Sequence, residues 1–189
     1  TSIDHLVSSS ISVQPQKTLK YAGDGLEIGS LSLTLSGGGI IENTNNLILD
    51  KPGSIVAMNG ISQISGLSVT SALTSGKLSV GADAVIQTFK HTESSKLDIS
   101  DNTSLTIQNV FEVPQNKSME LTGSDNGTLI LGDKITLSGM LKISAPDKLS
   151  GGTLELKGGT LSVNENSVIE SAVTHIDQST ITVSSGITL

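Results

Sequence analysis

The sequence predicts an all-β fold, a parallel β-helix solenoid with about 25 residues and three short strands in each coil. Two observations favour it. Pairs of apolar residues separated by a single residue recur along the chain, as in Leu129/Leu131 and Leu154/Leu156, and this alternation indicates strands. Clusters of Gly, Ser, Asp and Asn stand between the pairs and indicate turns. A period of this length is typical of a solenoid, whereas the blade of a β-propeller needs about 40 residues.

The repeat divides the chain into two parts. Residues 1–30 are less regular and are expected to form an N-terminal coil or cap, while residues 31–189 form seven or so coils of one domain. Because the sequence stops at Leu189 inside a coil, we expect the β-helix to be truncated at its C-terminus. An antiparallel β-sandwich is the alternative, but its strands would not recur at the constant offset of 26 residues found between Leu161 and Ile187. The first apolar pairs of successive coils begin at Leu31, Ile55, Leu78, Leu105, Leu129, Leu154 and Ile181.

The composition disfavours several classes of function. The net charge is −7 and all 11 basic residues are lysines, so neither nucleic acid nor an anionic membrane surface is an expected partner. The chain has no cysteine, which excludes disulfides and thiolate metal sites. No apolar run approaches the roughly 18 residues that a membrane-spanning helix needs. With one Tyr, two Phe and no Trp, the core must consist of stacked Leu, Ile and Val.

The segment 86–96 is the best candidate for a ligand-binding loop. It is the longest interruption of the repeat, and loops on a rigid scaffold often carry function. It also contains Phe89, Lys90, His91 and Glu93 in a chain that has almost no other aromatic residues. The alternative is structural, with the Phe89 ring packed against the edge of the core.

The acidic residues are weak candidates for catalysis or metal binding. Hydrolysis of a polysaccharide on a β-helix needs two carboxylates about 5–9 Å apart, and the acids of this chain are dispersed along the repeat. Oxygen ligands in turns can bind calcium, although neither common calcium-binding motif is present. We therefore predict a protein that is not an enzyme and needs no cofactor, with calcium as an open alternative. The dispersed acids are Asp98, Asp101, Asp125, Asp133, Glu155 and Glu165, and the candidate calcium turns hold Asp98, Asp101, Asn102, Asp125 and Asn126.

Strings such as GTLILGDKITLSG (127–139) and GGTLELKGGTLSVNENSVIE (151–170) resemble the coils of bacterial exported β-helices. The autotransporter passengers and filamentous-haemagglutinin-like adhesins are the most similar in style. The resemblance covers roughly residues 24–189 and consists of general sequence features: turns rich in Gly, Ser and Thr, few aromatic residues and acidic charge. It implies an elongated, right-handed β-helix outside the cell or at its surface, commonly with a role in adhesion.

The expected function is therefore that of a non-enzymatic, structural or adhesive segment of an exported bacterial surface protein. A stiff rod of this kind would bind a surface protein or glycan of a host or neighbouring cell, or a second copy of itself, through its lateral face and loops. Two alternatives remain open: a β-helix that binds or degrades carbohydrate, and a segment of a phage tail spike.

Overall fold

A computed structural model describes most of the chain and shows strands and turns only; no helix occurs within the described ranges. Those ranges are 8–22, 26–28, 32–43, 47–49, 55–69, 76–91, 93–123, 126–145 and 147–188. The strands are β1 (Ser9–Ser12), β2 (Thr18–Tyr21), β3 (Leu26–Ile28), β4 (Ser32–Ser36), β5 (Ile40–Asn43), β6 (Leu47–Leu49), β7 (Ile55–Asn59), β8 (Gln63–Val69), β9 (Gly76–Val80), β10 (Ala84–His91), β11 (Ser95–Ile99), β12 (Ser104–Ile107), β13 (Phe111–Val113), β14 (Ser118–Gly123), β15 (Thr128–Leu137), β16 (Met140–Ile143), β17 (Lys148–Lys157), β18 (Thr160–Val163), β19 (Val168–Ile169), β20 (Ala172–Asp177) and β21 (Thr180–Val183).

The strands stack in three parallel columns, as predicted for a β-solenoid. The first column contains β2, β5, β12, β19 and the starts of β8, β10, β15 and β17. The second contains β3, β6, β13, β20 and the ends of β8, β10, β15 and β17. The third is a nine-stranded sheet of β1, β4, β7, β9, β11, β14, β16, β18 and β21. The first two columns form one continuous sheet because the long strands run around the corner between them.

The core is a set of aliphatic stacks between the columns. Along each strand, buried side chains alternate with partly exposed ones, so one face of every column points inward. In the third column Leu97, Leu121 and Ile143 lie at paired positions on successive coils and are buried. Burial of each such side chain contributes about 1.5–3 kcal/mol. Stacked Leu, Ile and Val therefore supply the stability that aromatic residues provide in many other folds.

The coil is shorter than the sequence predicts, with about 22 residues instead of 25. The predicted register was also wrong. Leu129 pairs with Leu149, and Ile135 pairs with Leu154, which the sequence matched to Leu129. Leu161 pairs with Leu141 on the preceding coil. Similar apolar pairs occur in the strands of all three columns. Matching these pairs by sequence alone therefore aligned strands that belong to different columns.

The starting point of the traced repeat, Leu31, and its last residue, Leu189, lie outside the described residues. At the N-terminal side, β1 pairs with β4, β2 with β5 and β3 with β6. These strands thus extend all three columns into the first thirty residues. The proposed division of the chain at residue 30 stays a prediction.

Two kinds of turn recur among the described connections between columns. A four-residue turn with positive φ at its third residue recurs at Asn102 (54°) and Asn116 (63°), and a backbone hydrogen bond closes each of them. Asn tolerates this conformation better than most residues. The second kind has two residues, as at Ser138-Gly139, between β15 and β16. The candidate calcium position Asn102 is therefore explained by its turn, and Asp125 lies outside the described residues.

Replacing Gly139 with alanine is expected to lower the free energy of unfolding by about 2 kcal/mol. A Cβ atom there would overlap the backbone carbonyl oxygens of Pro114 and Lys117 on the neighbouring coil. Neither oxygen can withdraw without breaking the hydrogen bonds that Lys117 makes in its turn and with Met140. Urea unfolding followed by circular dichroism measures the effect. Ser138→Ala is the neighbouring control and should cost about 0.5 kcal/mol or less, because it removes only the exposed hydrogen bond from Ser138 Oγ to Glu112 Oε1. Equal stability of the two variants would contradict the role given to Gly139.

Candidate functional site

The segment predicted as a ligand loop is mostly a strand. Residues 84–91 form β10, and the side chains of Phe89 and His91 are buried. Phe89 meets Phe111 edge to face, with ring centroids 5.1 Å apart, so these rings fill a corner of the core. Lys90 is exposed, and Glu93 forms an ion pair with Lys117 of the next coil. The prediction of a loop is therefore wrong for residues 86–91, which belong to a strand. Binding of a ligand by this segment stays a prediction, and Lys90 and Glu93 are the candidate residues with exposed surface.

His91 is the unusual group of this corner. Its Nε2 lies 2.9 Å from Ser95 Oγ, while Nδ1 has no hydrogen-bond partner among the described residues. Burial lowers the pKa of His91 to about 4, and the nearby Glu93 carboxylate opposes that shift only in part. The ring is therefore neutral at pH 7. Because charging it inside the core is costly, His91 makes the coil sensitive to acid.

The outer face of the third column carries a ladder of alternating charge. Glu120 lies between Lys96 and Lys142 of the adjacent coils, with oxygen–nitrogen distances of 3.4 and 2.7 Å. Ser144 Oγ also donates to Glu120 Oε1 at 2.8 Å. The hydrogen bond from Lys142 is the main reason that the pKa of Glu120 is lowered. The ladder thus holds three coils together on the outside.

We expect Glu120→Gln to lower the free energy of unfolding by about 1 kcal/mol, because it removes the charge shared by Lys96 and Lys142. Since the pKa of Glu120 is lowered in the folded chain, this stability is present above its ordinary value and is lost as the pH falls through the lowered one. Denaturant unfolding at pH 7 and pH 3 measures both effects. Glu165, an exposed acid, provides the control Glu165→Gln. A loss of stability that persists unchanged at pH 3 would contradict the assignment.

Ion pairs between coils also engage four other described acids, Glu42, Asp98, Glu155 and Glu170. Asp98 pairs with Lys77, while Glu155 accepts from Lys134 Nζ at 2.9 Å and from Thr136 Oγ1 at 3.0 Å. The lysine is the first cause of the lowered pKa of Glu155. Asp98 and Glu155 are two of the acids that the sequence offered for catalysis or calcium, and each is already neutralised by a lysine. Within the described ranges, no group of three or more His, Asp or Glu residues is placed to hold a metal ion.

A shallow groove crosses three coils on the side where β14, β16 and β18 begin. Its volume is about 490 Å³. The four-residue turn at Gln115 and Asn116 forms one wall of the groove. The two-residue turns Ser138-Gly139 and Gly158-Gly159 form its recessed floor. The side chain of Met140 is 39 % exposed on this floor. Hydroxyl and amide groups around an apolar patch can bind a neutral polar ligand. The lining residues are Gln115, Asn116, Lys117, Ser118, Ser138, Gly139, Met140, Gly158, Gly159 and Thr160.

A second hollow lies on the outer side of the first column near the N-terminal coils. Its volume is about 390 Å³, and it is lined by the Lys20–Glu42 pair together with Tyr21, Gln63 and Gln87. Sequence reasoning missed both hollows and the charge ladder. Alignment of the sequence at the correct coil length would have shown the ladder, because Lys96, Glu120 and Lys142 lie one coil apart from each other. The groove has a weaker sequence signal, the recurrence of Gly139 and Gly159 one coil apart.

Comparisons with protein-family models, curated proteins and solved structures find no match for this chain. Within the described ranges, no helix is long and apolar enough to cross a membrane. The fold and the surface chemistry are therefore the basis for any functional assignment.

Proposed function

We propose that this chain is a non-enzymatic structural or adhesive segment of an exported bacterial surface protein. The observation that supports the proposal is the stacking of the strands in three parallel columns around a largely aliphatic core. Nine strands in one column at a spacing of about 4.8 Å extend over about 40 Å. Such a rod displays a long lateral face, and a rigid face loses little conformational entropy when it binds.

The location outside the cell rests on the sequence resemblance to exported β-helices. The charge pattern agrees with a solvent-exposed rod, because lysines on the outer faces of the described strands pair with acids across coils, which disfavours nucleic acid as a partner. The partner is a protein or glycan of a host or neighbouring cell, bound along the lateral face.

The test uses beads coated with the folded chain. We expect these beads to adhere to cultured cells or to a panel of immobilised matrix proteins and glycans, without release of reducing sugar. Beads coated with heat-unfolded chain are the control, since adhesion through the lateral face needs the folded columns. Lack of adhesion above this control would overturn the adhesive role, and release of sugar would identify an enzyme.

The groove around Met140 favours carbohydrate binding as the second candidate function. Its lining provides hydroxyl and amide groups, and its one charged residue, Lys117, is paired with Glu93, which suits a neutral sugar. Asn116→Gly removes one amide and keeps the positive φ that the turn requires. Loss of binding to a glycan array by this variant, with unchanged circular dichroism, would place a sugar in the groove. Trimers in light scattering would instead support a segment of a phage tail spike.

A further inference from the structure

Three Asn-x-Ser/Thr triplets occur in this chain, and each of them begins in a turn at the surface. Their asparagines are Asn102, Asn116 and Asn126. All three residues are exposed, and their backbone φ angles are positive, at 54°, 63° and 59° respectively. An asparagine that stands two residues before a serine or threonine is an acceptor for sugar when the triplet lies at the surface. The structure therefore places every such triplet of the chain where a transferase can reach it.

The carboxamides of these three asparagines are not engaged by the fold. None of them makes a side-chain hydrogen bond to another described residue. The side chains of four other asparagines do bind the neighbouring coil, and these are Asn43, Asn109, Asn164 and Asn166. A carboxamide carries two N–H donors and one carbonyl acceptor. In the three triplets, these groups therefore point to no structural partner and remain available for reaction.

A fourth turn separates the role of the backbone from that of the asparagine. Gln16 also has a positive φ, of 61°, and a backbone hydrogen bond of 3.1 Å closes its turn, as it does at Asn102 and Asn116. A hydroxyl residue, Thr18, again follows two positions later. The turn and the hydroxyl position thus belong to the fold and do not depend on asparagine. The asparagine is what distinguishes the three triplets from this turn.

The hydroxyl residue of each triplet begins the strand that follows the turn. Ser104, Ser118 and Thr128 are the first residues of β12, β14 and β15. The hydroxyl groups of the two serines already bond to the preceding coil, at 3.0 and 3.3 Å. The hydroxyl group of Thr128 makes no hydrogen bond to another described residue. The triplet at Asn126 therefore has both its amide and its hydroxyl available, and we expect it to be modified most readily.

We propose that these turns present Asn102, Asn116 and Asn126 as attachment sites for N-linked sugar. The co-reactant is an activated sugar whose C1 atom is joined to a diphosphate. Asparagine Nδ2 forms a bond to C1, the bond between C1 and the diphosphate oxygen breaks, and its electron pair leaves with the diphosphate. One proton of Nδ2 passes to a base of the transferase. The modification is separate from adhesion through the lateral face and does not depend on it.

The three acceptors lie at corners of the solenoid. Asn102 and Asn126 precede β12 and β15, which pair in the first column, so they share one corner on adjacent coils. Asn116 lies at the corner before β14 in the third column. N-linked sugar is bulky and hydrophilic. At these corners it would cover the turns and leave the outer faces of the columns accessible to a partner.

Mass spectrometry of proteolytic peptides tests the proposal on the chain purified from the cells that produce it. Each of the three asparagines should carry sugar, with the highest occupancy at Asn126, whereas Asn59, which is exposed but lies outside any triplet, should carry none. Thr128→Val keeps the asparagine and should lower the occupancy of Asn126 about ten-fold or more, while Asn102 stays occupied. Absence of sugar from all three positions of the natural chain would overturn the proposal.

Two new triplets test whether the turn presents the asparagine. Gln16→Asn places an acceptor in the fourth turn, and the folded variant should gain one further sugar from a nucleoside diphosphate glucose and a transferase specific for the triplet. Asn166→Ser is the control, because it creates a triplet at Asn164, whose Oδ1 already accepts from Ser184 Oγ at 3.0 Å. Modification there should be about ten-fold slower. With both variants folded by circular dichroism, equal rates would overturn the role given to the turns.

Discussion

Leu129→Ala is expected to lower the free energy of unfolding by about 3–4 kcal/mol, because it opens a cavity in the centre of the aliphatic stack. Leu129 is fully buried and lies between Leu105 and Leu149 on the adjacent coils. Hydrogen bonds between coils hold the strand spacing fixed on both sides, so the neighbouring side chains cannot move in to fill the space. The cost should therefore lie in the upper part of the range known for such substitutions.

Urea unfolding followed by far-ultraviolet circular dichroism is the suitable measurement, because the chain has no tryptophan for fluorescence. Val110→Ala is the matched control, since the side chain of Val110 is 50 % exposed and its truncation should change stability by less than about 0.5 kcal/mol. Because each coil contacts only its neighbours, hydrogen exchange should show the loss of protection centred on β12, β15 and β17. A loss below about 1 kcal/mol would contradict a rigidly spaced core.

Acidification from pH 6.5 to pH 4 is expected to remove about 3 kcal/mol of stability through His91 alone. The pKa of His91 is lowered to about 4 in the folded chain, so the unfolded chain binds more protons at this residue than the folded chain does throughout this range. Protonation therefore favours unfolding as the pH falls. The charged groups near this corner are Glu93 and Lys117, which form an ion pair. The Glu93 carboxylate opposes the lowering of the His91 pKa only in part.

His91→Gln tests this prediction, because glutamine can still bond to Ser95 but does not titrate. The variant should lose most of the dependence of stability on pH between 6.5 and 4.5, a range above the pKa values of Glu120 and Glu155. His175→Gln is the control, since His175 is exposed on β20 and should leave the pH profile unchanged. If His91→Gln keeps the original profile, another group causes the acid sensitivity.

The fold class could be predicted from the sequence because the evidence for it is redundant. Alternating apolar residues, frequent turn residues and a short period all indicate a solenoid, and an error at one position changes nothing. The register is different, because Leu129 can match Leu149 or Leu154 equally well as text. The two matches differ in which strands stack on each other in three dimensions. The pattern of apolar residues along the sequence carries no information about that stacking.

The candidate site was harder to predict for a related reason. An interruption of the apolar repeat at Phe89 suggested a loop, but a phenylalanine and a neutral histidine replace aliphatic residues at inward positions of β10. The repeat of side-chain type was broken while the repeat of backbone conformation continued. The groove around Met140 depends on differences in turn length between coils, which become visible only once the coils are aligned.

Those differences in turn length indicate where the sequence of this molecule can accept insertions and deletions. Leu78, Leu97 and Leu121 are successive neighbours in one stack, yet 19 residues separate the first two and 24 the second two. The inner positions stay aligned because the extra residues are absorbed at the corners. Insertions and deletions at these corners can therefore accumulate over generations without disturbing the interior, so the outline of the rod can diversify while its cross-section is conserved.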